Sequence, residues 1–224
     1  MTVEEVIALL RKQHGAPERR PRRDPLSELI AALLSQNTSD ANSERAFANL
    51  VSTFGTWDRV VRADVDKISE AIVSGGLNRV KALRIKAILE RIAKEKGSLD
   101  LAFLKKMPLA EARSWLESLP GVGPKTAACV LLFSLGRPAL PVDTHVYRVA
   151  QRLSLIGAKV SPDNAHRVLG GMVAPDDVYE FHMNMVKHGR KVCRSQSPLC
   201  GGCLFNKECV YGKRTLRRAG GTGR

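Results

Sequence analysis

The chain has 224 residues, 44% of them apolar, which is enough for one large domain or two small ones around a packed core. A formal charge of +14 and a pI near 10 point to a polyanionic partner, nucleic acid first, bound through counterion release; a phospholipid surface or a merely basic background is the weaker alternative. Apolar runs fall far short of the ~20 residues that span a bilayer, and no secretory apolar segment opens the chain, so no membrane association and a soluble intracellular protein are expected.

Thr2 and Glu5 have capping-box spacing, which opens a first helix with Val6, Ile7, Leu9 and Leu10 on its apolar face and Gly15 as its stop. Residues 17–24, PERRPRRD, are broken by proline and dense in arginine; they read as a basic linker, either touching a nucleic-acid backbone or simply solvated. Asp24 followed by Pro25 predicts a second helix, and Leu26, Leu29, Ile30, Leu33 and Leu34 place it inside a core. The polar run Ser35-Gln36-Asn37-Thr38-Ser39-Asp40 ends it and caps a third helix that carries Ala46, Phe47, Leu50 and Phe54 inward.

From Asp64 a short helix with Ile68, Ala71 and Ile72 leads through Ser74-Gly75-Gly76-Leu77-Asn78 to a longer one. That helix buries Ala82, Ile85, Ile88, Leu89 and Ile92 and stops at Gly97. Leu77 falls on a loop tip, where an apolar side chain ordinarily folds back onto the core.

Residues 108–118 form another amphipathic helix, containing Trp115. The stretch from Leu119 to Asp143 reads LPGVGPKTAACVLLFSLGRPALPVD. Gly121 and Gly123 permit a tight turn, and Pro124 presets a helix that holds Ala127, Ala128, Val130, Leu131, Leu132 and Leu135 before Gly136 and Pro138 close it. A helix N-terminus reached through such a turn offers amide N–H groups to a phosphate oxygen; Lys125 at its mouth supplies a cation or an amine nucleophile, and Asp143 a carboxylate. Three more helices start at or near Asp143, Ser161 and Asp176, each with a capping side chain. No two-residue alternation is sustained anywhere, so the fold class is all-α.

Cys193, Cys200, Cys203 and Cys209 have the spacing C-x6-C-x2-C-x5-C, too crowded for a disulfide framework. Four thiolates on one centre suit zinc or an iron–sulfur cluster, and a single C-x2-C knuckle leans toward the cluster. Cys129 is a small core residue. Around the four cysteines stand Lys187, Arg190, Lys191, Arg194, Lys207, Lys213, Arg214, Arg217 and Arg218, opposed by Glu208 alone. A cluster could hold this basic loop in shape against a DNA backbone, or staple the C-terminal segment to the body.

LPGVGPKTA, then VDTH at Val142–His145, then the four-cysteine motif, in this order and at this separation, resemble the endonuclease III family of DNA glycosylases, over nearly the whole chain from Pro25 to Cys209. The resemblance implies a two-lobed helix-hairpin-helix glycosylase fold: a six-helix barrel with the hairpin over residues 24–137, a smaller helical lobe from residues 1–23 and 138–224, and a DNA groove between them. It also implies that Cys193, Cys200, Cys203 and Cys209 hold a 4Fe-4S cluster.

By position, Lys125 matches the family's nucleophile and Asp143 its essential carboxylate. A lysine amine can attack the anomeric carbon of a damaged nucleotide, expel the base and form a Schiff base whose β-elimination cuts the strand. Asp143 assists proton transfer or steadies the positive transition state, and doubles as a helix N-cap. Family members flip the target nucleotide out and fill the gap with side chains. Leu77 and Asn37 take the filling positions; many relatives have glutamine at the second, and Gln36 is adjacent, so both residues are candidates. The amides at Gly121 and Gly123, with Lys191 and Arg194 beside the cluster, are expected to meet the DNA backbone, and Ser35 and Asp40 to contribute to the base pocket.

Pro124 before Lys125 excludes a P-loop, and no third glycine or preceding strand supports a dinucleotide fingerprint. Similar adenine glycosylases have a glutamate where Ala32 stands, and mismatch-specific thymine glycosylases usually have tyrosine in place of Lys125, so a monofunctional mismatch enzyme is the alternative to a bifunctional one. A non-catalytic helix-hairpin-helix DNA-binding module would need no pairing of Lys125 with Asp143. The expected partner is double-stranded DNA containing damaged bases or abasic sites, bound by a monomer. The short chain suggests a prokaryotic, cytoplasmic and nucleoid-associated protein, although Arg19–Arg23 could mimic a nuclear signal.

Overall fold

The chain is described by a computed structural model covering residues 1–19 and 23–220, without the side chains of 218–220. Among these residues every regular element is helical. They form two compact units, one from Met1–Arg20 with Pro138–Arg224 and the other from Pro21–Arg137. Arg20 to Arg22 of the basic linker lie outside the described residues.

The Pro21–Arg137 unit is built on α2 (Pro25–Leu34), with the Asp24 carboxylate accepting the Ser27 N–H at 3.0 Å. Leu26, Leu29, Ile30, Leu33 and Leu34 are all buried, more than one stripe of a surface helix supplies, so neighbours surround this helix on several sides. Each such side chain contributes about 1.5–3 kcal/mol of burial. The unit also contains α3 (Asp40–Phe54), α4 (Trp57–Arg62), α5 (Val65–Ala71), α6 (Asn78–Lys96), α7 (Leu109–Glu117) and α8 (Pro124–Cys129), of which α3, α6 and α8 pack against α2. Ile85, Ile88, Leu89 and Ile92 form the buried face of α6, and Gly97 caps its end.

Two expectations change here. Phe47 does not enter the core: it is half-buried, with the Arg23 guanidinium 4.5 Å from its ring centre and the Trp57 ring tilted beside it at 56°. Arg23 also bonds Glu44 at 2.6 Å, so the last arginine of the basic linker is engaged in the fold. The second change is in the helix after the hairpin, which is α-helical only to Cys129 and continues as a π-helical turn over Val130–Ser134. The wider turn coincides with three consecutive buried residues, Val130, Leu131 and Leu132.

The other unit contains α1 (Val3–His14), α9 (Thr144–Arg152), α10 (Pro162–Gly170), α11 (Val178–Lys191) and α12 (Val210–Gly220). The capping box of α1 is reciprocal: Glu5 N–H reaches Thr2 Oγ1 at 3.3 Å, and Thr2 N–H reaches the Glu5 carboxylate at 2.7 Å. Lys187 and Asn184 of α11 donate to the carbonyls of His14 and Gly15, satisfying the C-terminal end of α1. Where α9 meets α11 there is no room for a side chain, since a Cβ on Gly189 would lie 2.9 Å from His145 Cβ. Ser161 caps α10 as expected. No side chain caps α11; a 3-10 turn over Pro175–Asp177 leads into it, and the Asp176 carbonyl accepts from Arg19. Lone capping residues were therefore a weaker guide here than a proline that can start a tighter turn.

Candidate nucleic-acid interface and catalytic residues

In the Pro21–Arg137 unit, α7 and α8 are joined by a turn in which only one glycine is sterically required. Gly121 has φ +74°, and a Cβ there would stand 2.6 Å from Cδ and 2.9 Å from Nε of Arg84, which lies across the turn. Gly123 is extended, at φ −102° and ψ −179°, with open space where its Cβ would be. The two positions therefore separate by experiment. Gly121→Ala should lower stability by about 1–2 kcal/mol, the cost of a left-handed non-glycine residue plus displacement of Arg84. Gly123→Ala should leave the unfolding midpoint unchanged, so any loss of duplex affinity in that variant reports a backbone approaching the turn. Calorimetry and DNA titration at fixed salt measure both.

No side chain caps α8, which leaves its first amides to a ligand or water. Lys125, half-buried, stands in this first turn. Gln36 braces the hairpin from behind: its Nε2 donates to the Gly121 carbonyl at 3.0 Å and to Thr126 Oγ1 at 3.3 Å.

The two gap-filling candidates on the 36–37 loop are thus distinguished by where they point. Gln36 is turned onto the hairpin, whereas Asn37 is exposed and left-handed, with φ 54°. Leu77 does not fold back onto the core: it is 58% exposed, and at φ 49° it is left-handed as well. A left-handed leucine costs on the order of 1 kcal/mol and persists only where its surroundings fix it. Ser35 bonds back to the Ala32 carbonyl at 2.7 Å, closing α2, and Asp40 begins α3.

In the other unit, Asp143 is the N-cap of α9. A single oxygen, Oδ1, accepts both the His145 N–H at 2.9 Å and the Val146 N–H at 2.8 Å, so Oδ2 is not needed for the cap. Burial lowers the pKa of His145 below the ordinary histidine value; Asp143 opposes that shift, and Arg148 and Arg190 reinforce it.

Cys193, Cys200, Cys203 and Cys209 line one pocket with Leu153, His188, Phe205 and Tyr211. Among the described residues no three or more His, Cys, Asp or Glu side chains stand close enough to hold one metal ion. The donor set nevertheless fits a cationic cluster. Burial raises the thiol pKa values of Cys200 and Cys203, and the neighbouring sulfurs raise them further; a positive centre would reverse both effects. Donors already face the sulfurs: Arg152 Nη1 is 3.4 Å from Cys193 Sγ and Gly212 N–H is 3.3 Å from Cys209 Sγ.

Two arginines of α9, unremarked in the sequence, carry this loop. Arg152 donates to the carbonyls of Arg194 and Ser195 at 2.6 and 3.0 Å and stacks 4.0 Å from the Tyr211 ring centre. Arg148 donates to the carbonyls of Cys193 and Gly189 at 3.1 and 2.9 Å. Their signal was the helical spacing of 148 and 152, visible only once the loop is known to lie alongside. The side chains of Lys191 and Arg194 are exposed.

Residues 30–175 match the family model described as HhH-GPD superfamily base excision DNA repair protein. A candidate DNA glycosylase of Arabidopsis thaliana is 39% identical over 81% of this chain, which spans 59% of that protein's length. The endonuclease III of Sulfolobus acidocaldarius is 33% identical over 84% of this chain and 83% of its own. The structure of a trapped covalent endonuclease III–DNA intermediate superposes with a TM-score of 0.82 at 28% identity, covering 97% of this chain and 100% of that one. Matched by the family model over residues 30–175 and by an endonuclease III over 84% of its length, this protein belongs to the endonuclease III family of HhH-GPD base excision DNA repair proteins.

Proposed function

We propose that the chain is a bifunctional DNA glycosylase and abasic-site lyase that removes oxidised pyrimidines from duplex DNA. The observation that carries this reading is a lysine, Lys125, in the uncapped first turn behind a Gly121 hairpin, in a chain matching an endonuclease III trapped covalently on DNA. Lys125 Nζ attacks the anomeric carbon, and the bond to the base breaks with its electron pair leaving on the base, which takes up a proton. Loss of the amine protons and opening of the sugar ring give the Schiff base. Removal of a proton from the adjacent carbon then expels the 3′ phosphate and cuts the strand. Asp143, with Oδ2 free of capping duty, moves protons or steadies the developing positive charge. Asn37 and Leu77 fill the vacated stack, Gln36 holds the hairpin, and Lys191, Arg194 and the turn amides contact the backbone.

The test is borohydride trapping on duplexes carrying one oxidised pyrimidine or one abasic site. A covalent protein–DNA adduct is expected; its absence on both substrates overturns the lyase reading. A panel of single-lesion duplexes then ranks base preference.

Cys193, Cys200, Cys203 and Cys209 would hold a 4Fe-4S cluster, which when bound supplies a rigid four-point tie for the basic loop. Purified protein is expected to be brown and to contain iron and sulfide in equal amounts, with Cys203→Ser losing colour; colourless, zinc-containing protein contradicts it. Residues 24–137 would act as the barrel domain, and 1–23 with 138–224 as the cluster domain. The protein would bind as a monomer and work on the chromosome in the cytoplasm of a prokaryote. Among the described residues no helix is long and apolar enough to cross a membrane.

A further inference from the structure

Lys81 is a charged residue placed where an apolar one would be ordinary. It is 2% exposed, in the first turn of α6, where the helix's own amides disfavour a cation. Its ammonium offsets this by donating to three main-chain carbonyls: Leu34 at 2.7 Å, Gln36 at 2.6 Å and Gly75 at 2.8 Å. All three of its hydrogens are thereby used. Burial first, and Arg84 one turn on, hold its pKa below the usual lysine value.

The three carbonyls are not scattered. Leu34 ends α2 and Gln36 immediately precedes Asn37, while Gly75 lies two residues before Leu77. Asn37 and Leu77 are both left-handed and exposed. Gln36 extends the same network, since its backbone binds Lys81 and its side chain binds the hairpin. One ammonium therefore ties together two loops that are distant in sequence, each ending in a side chain held in a conformation it would not adopt alone.

We propose that Lys81 is a positioning residue for nucleotide flipping: it fixes the spacing of the loops that carry Asn37 and Leu77, so that both side chains are ready to enter the stack as the damaged nucleotide leaves. This rests on the glycosylase reading above. Lys81 itself touches no DNA; it sets where two side chains stand, and a misplacement of about 1 Å at such a position can cost on the order of 100-fold in rate.

The test compares full-length, metal-loaded wild type with Lys81→Met, which keeps the volume and removes the donors. Three readouts are taken: single-turnover excision of a damaged base from duplex; fluorescence of 2-aminopurine placed opposite the lesion, which rises on unstacking; and borohydride trapping on an abasic site in single-stranded DNA, where no stack has to be opened. Lys81→Met is expected to lose ~10- to 100-fold in excision and most of the fluorescence change, with single-strand trapping and far-UV circular dichroism close to wild type. Combined with Leu77→Ala it should do little further harm, because the two act through one step.

Wild-type excision and fluorescence in Lys81→Met would overturn the proposal, as would a parallel fall in all three readouts, which marks an ordinary core residue. If Lys81→Met does not fold, Lys81→Gln, which is one bond shorter and brings two hydrogens to three carbonyls, breaks the tie instead, and wild-type flipping in folded Lys81→Gln overturns the proposal. Failure of the underlying function looks different: wild type itself would then form no adduct on either DNA.

Discussion

Lys125→Ala will form no covalent adduct with abasic DNA under borohydride and will cut it at least ~10³-fold more slowly than wild type, a loss of about 4 kcal/mol of transition-state stabilisation. Folding should survive the change. Lys125 is half-buried in the first turn of α8, and alanine is the better helix former there, so the unfolding midpoint should stay within a degree or two. Nor can Lys81 replace it, because that lysine is buried with every hydrogen committed to a carbonyl. Gel analysis of trapped complexes beside duplex-binding titrations separates lost chemistry from lost binding. An adduct persisting in Lys125→Ala would assign the nucleophile to another amine.

The two duties proposed for Asp143, helix cap and proton-transfer group, can be removed one at a time. Asparagine caps helices about as well as aspartate, and both capping bonds go to one oxygen. Asp143→Asn should therefore melt like wild type while excision falls ~10²- to 10³-fold, the range for losing a positioned proton-transfer group. Asp143→Ala should show the same kinetic loss and in addition about 1 kcal/mol of lost stability from the vacant cap. Single-turnover kinetics and calorimetry on the pair provide the check. Wild-type excision by Asp143→Asn would reduce this residue to a cap.

The features legible in the sequence are those whose physics is local. A glycine turn before proline, a cap before an apolar run and four cysteines within one loop declare themselves through spacing alone, and α2, α3, α6 and the hairpin lie where the apolar period puts them. Short elements were hidden: α4 buries only Val60, too little for a period to register, and α12 carries few apolar residues among many basic ones. Lys81 was hidden for a different reason. A lysine between Val80 and Ala82 reads as solvated surface, and only the return of two distant loops reveals carbonyls waiting for it. The bond from Gln36 to a turn 85 residues away and the positive backbone angle of Asn37 were likewise hidden, since composition encodes neither.

Gly189 shows how far such long-range dependence reaches. Its missing methyl lets α11 lie against His145 and Arg148; His145 gives its N–H to the Asp143 carboxylate, and Arg148 bridges the carbonyls of Gly189 and Cys193. The acid group at the head of α9 and the start of the sulfur-bearing loop are thus gauged from one contact. A side chain at 189 would shim the two helices apart and move both at once, so the calibration of this half of the protein depends on an atom that is not there.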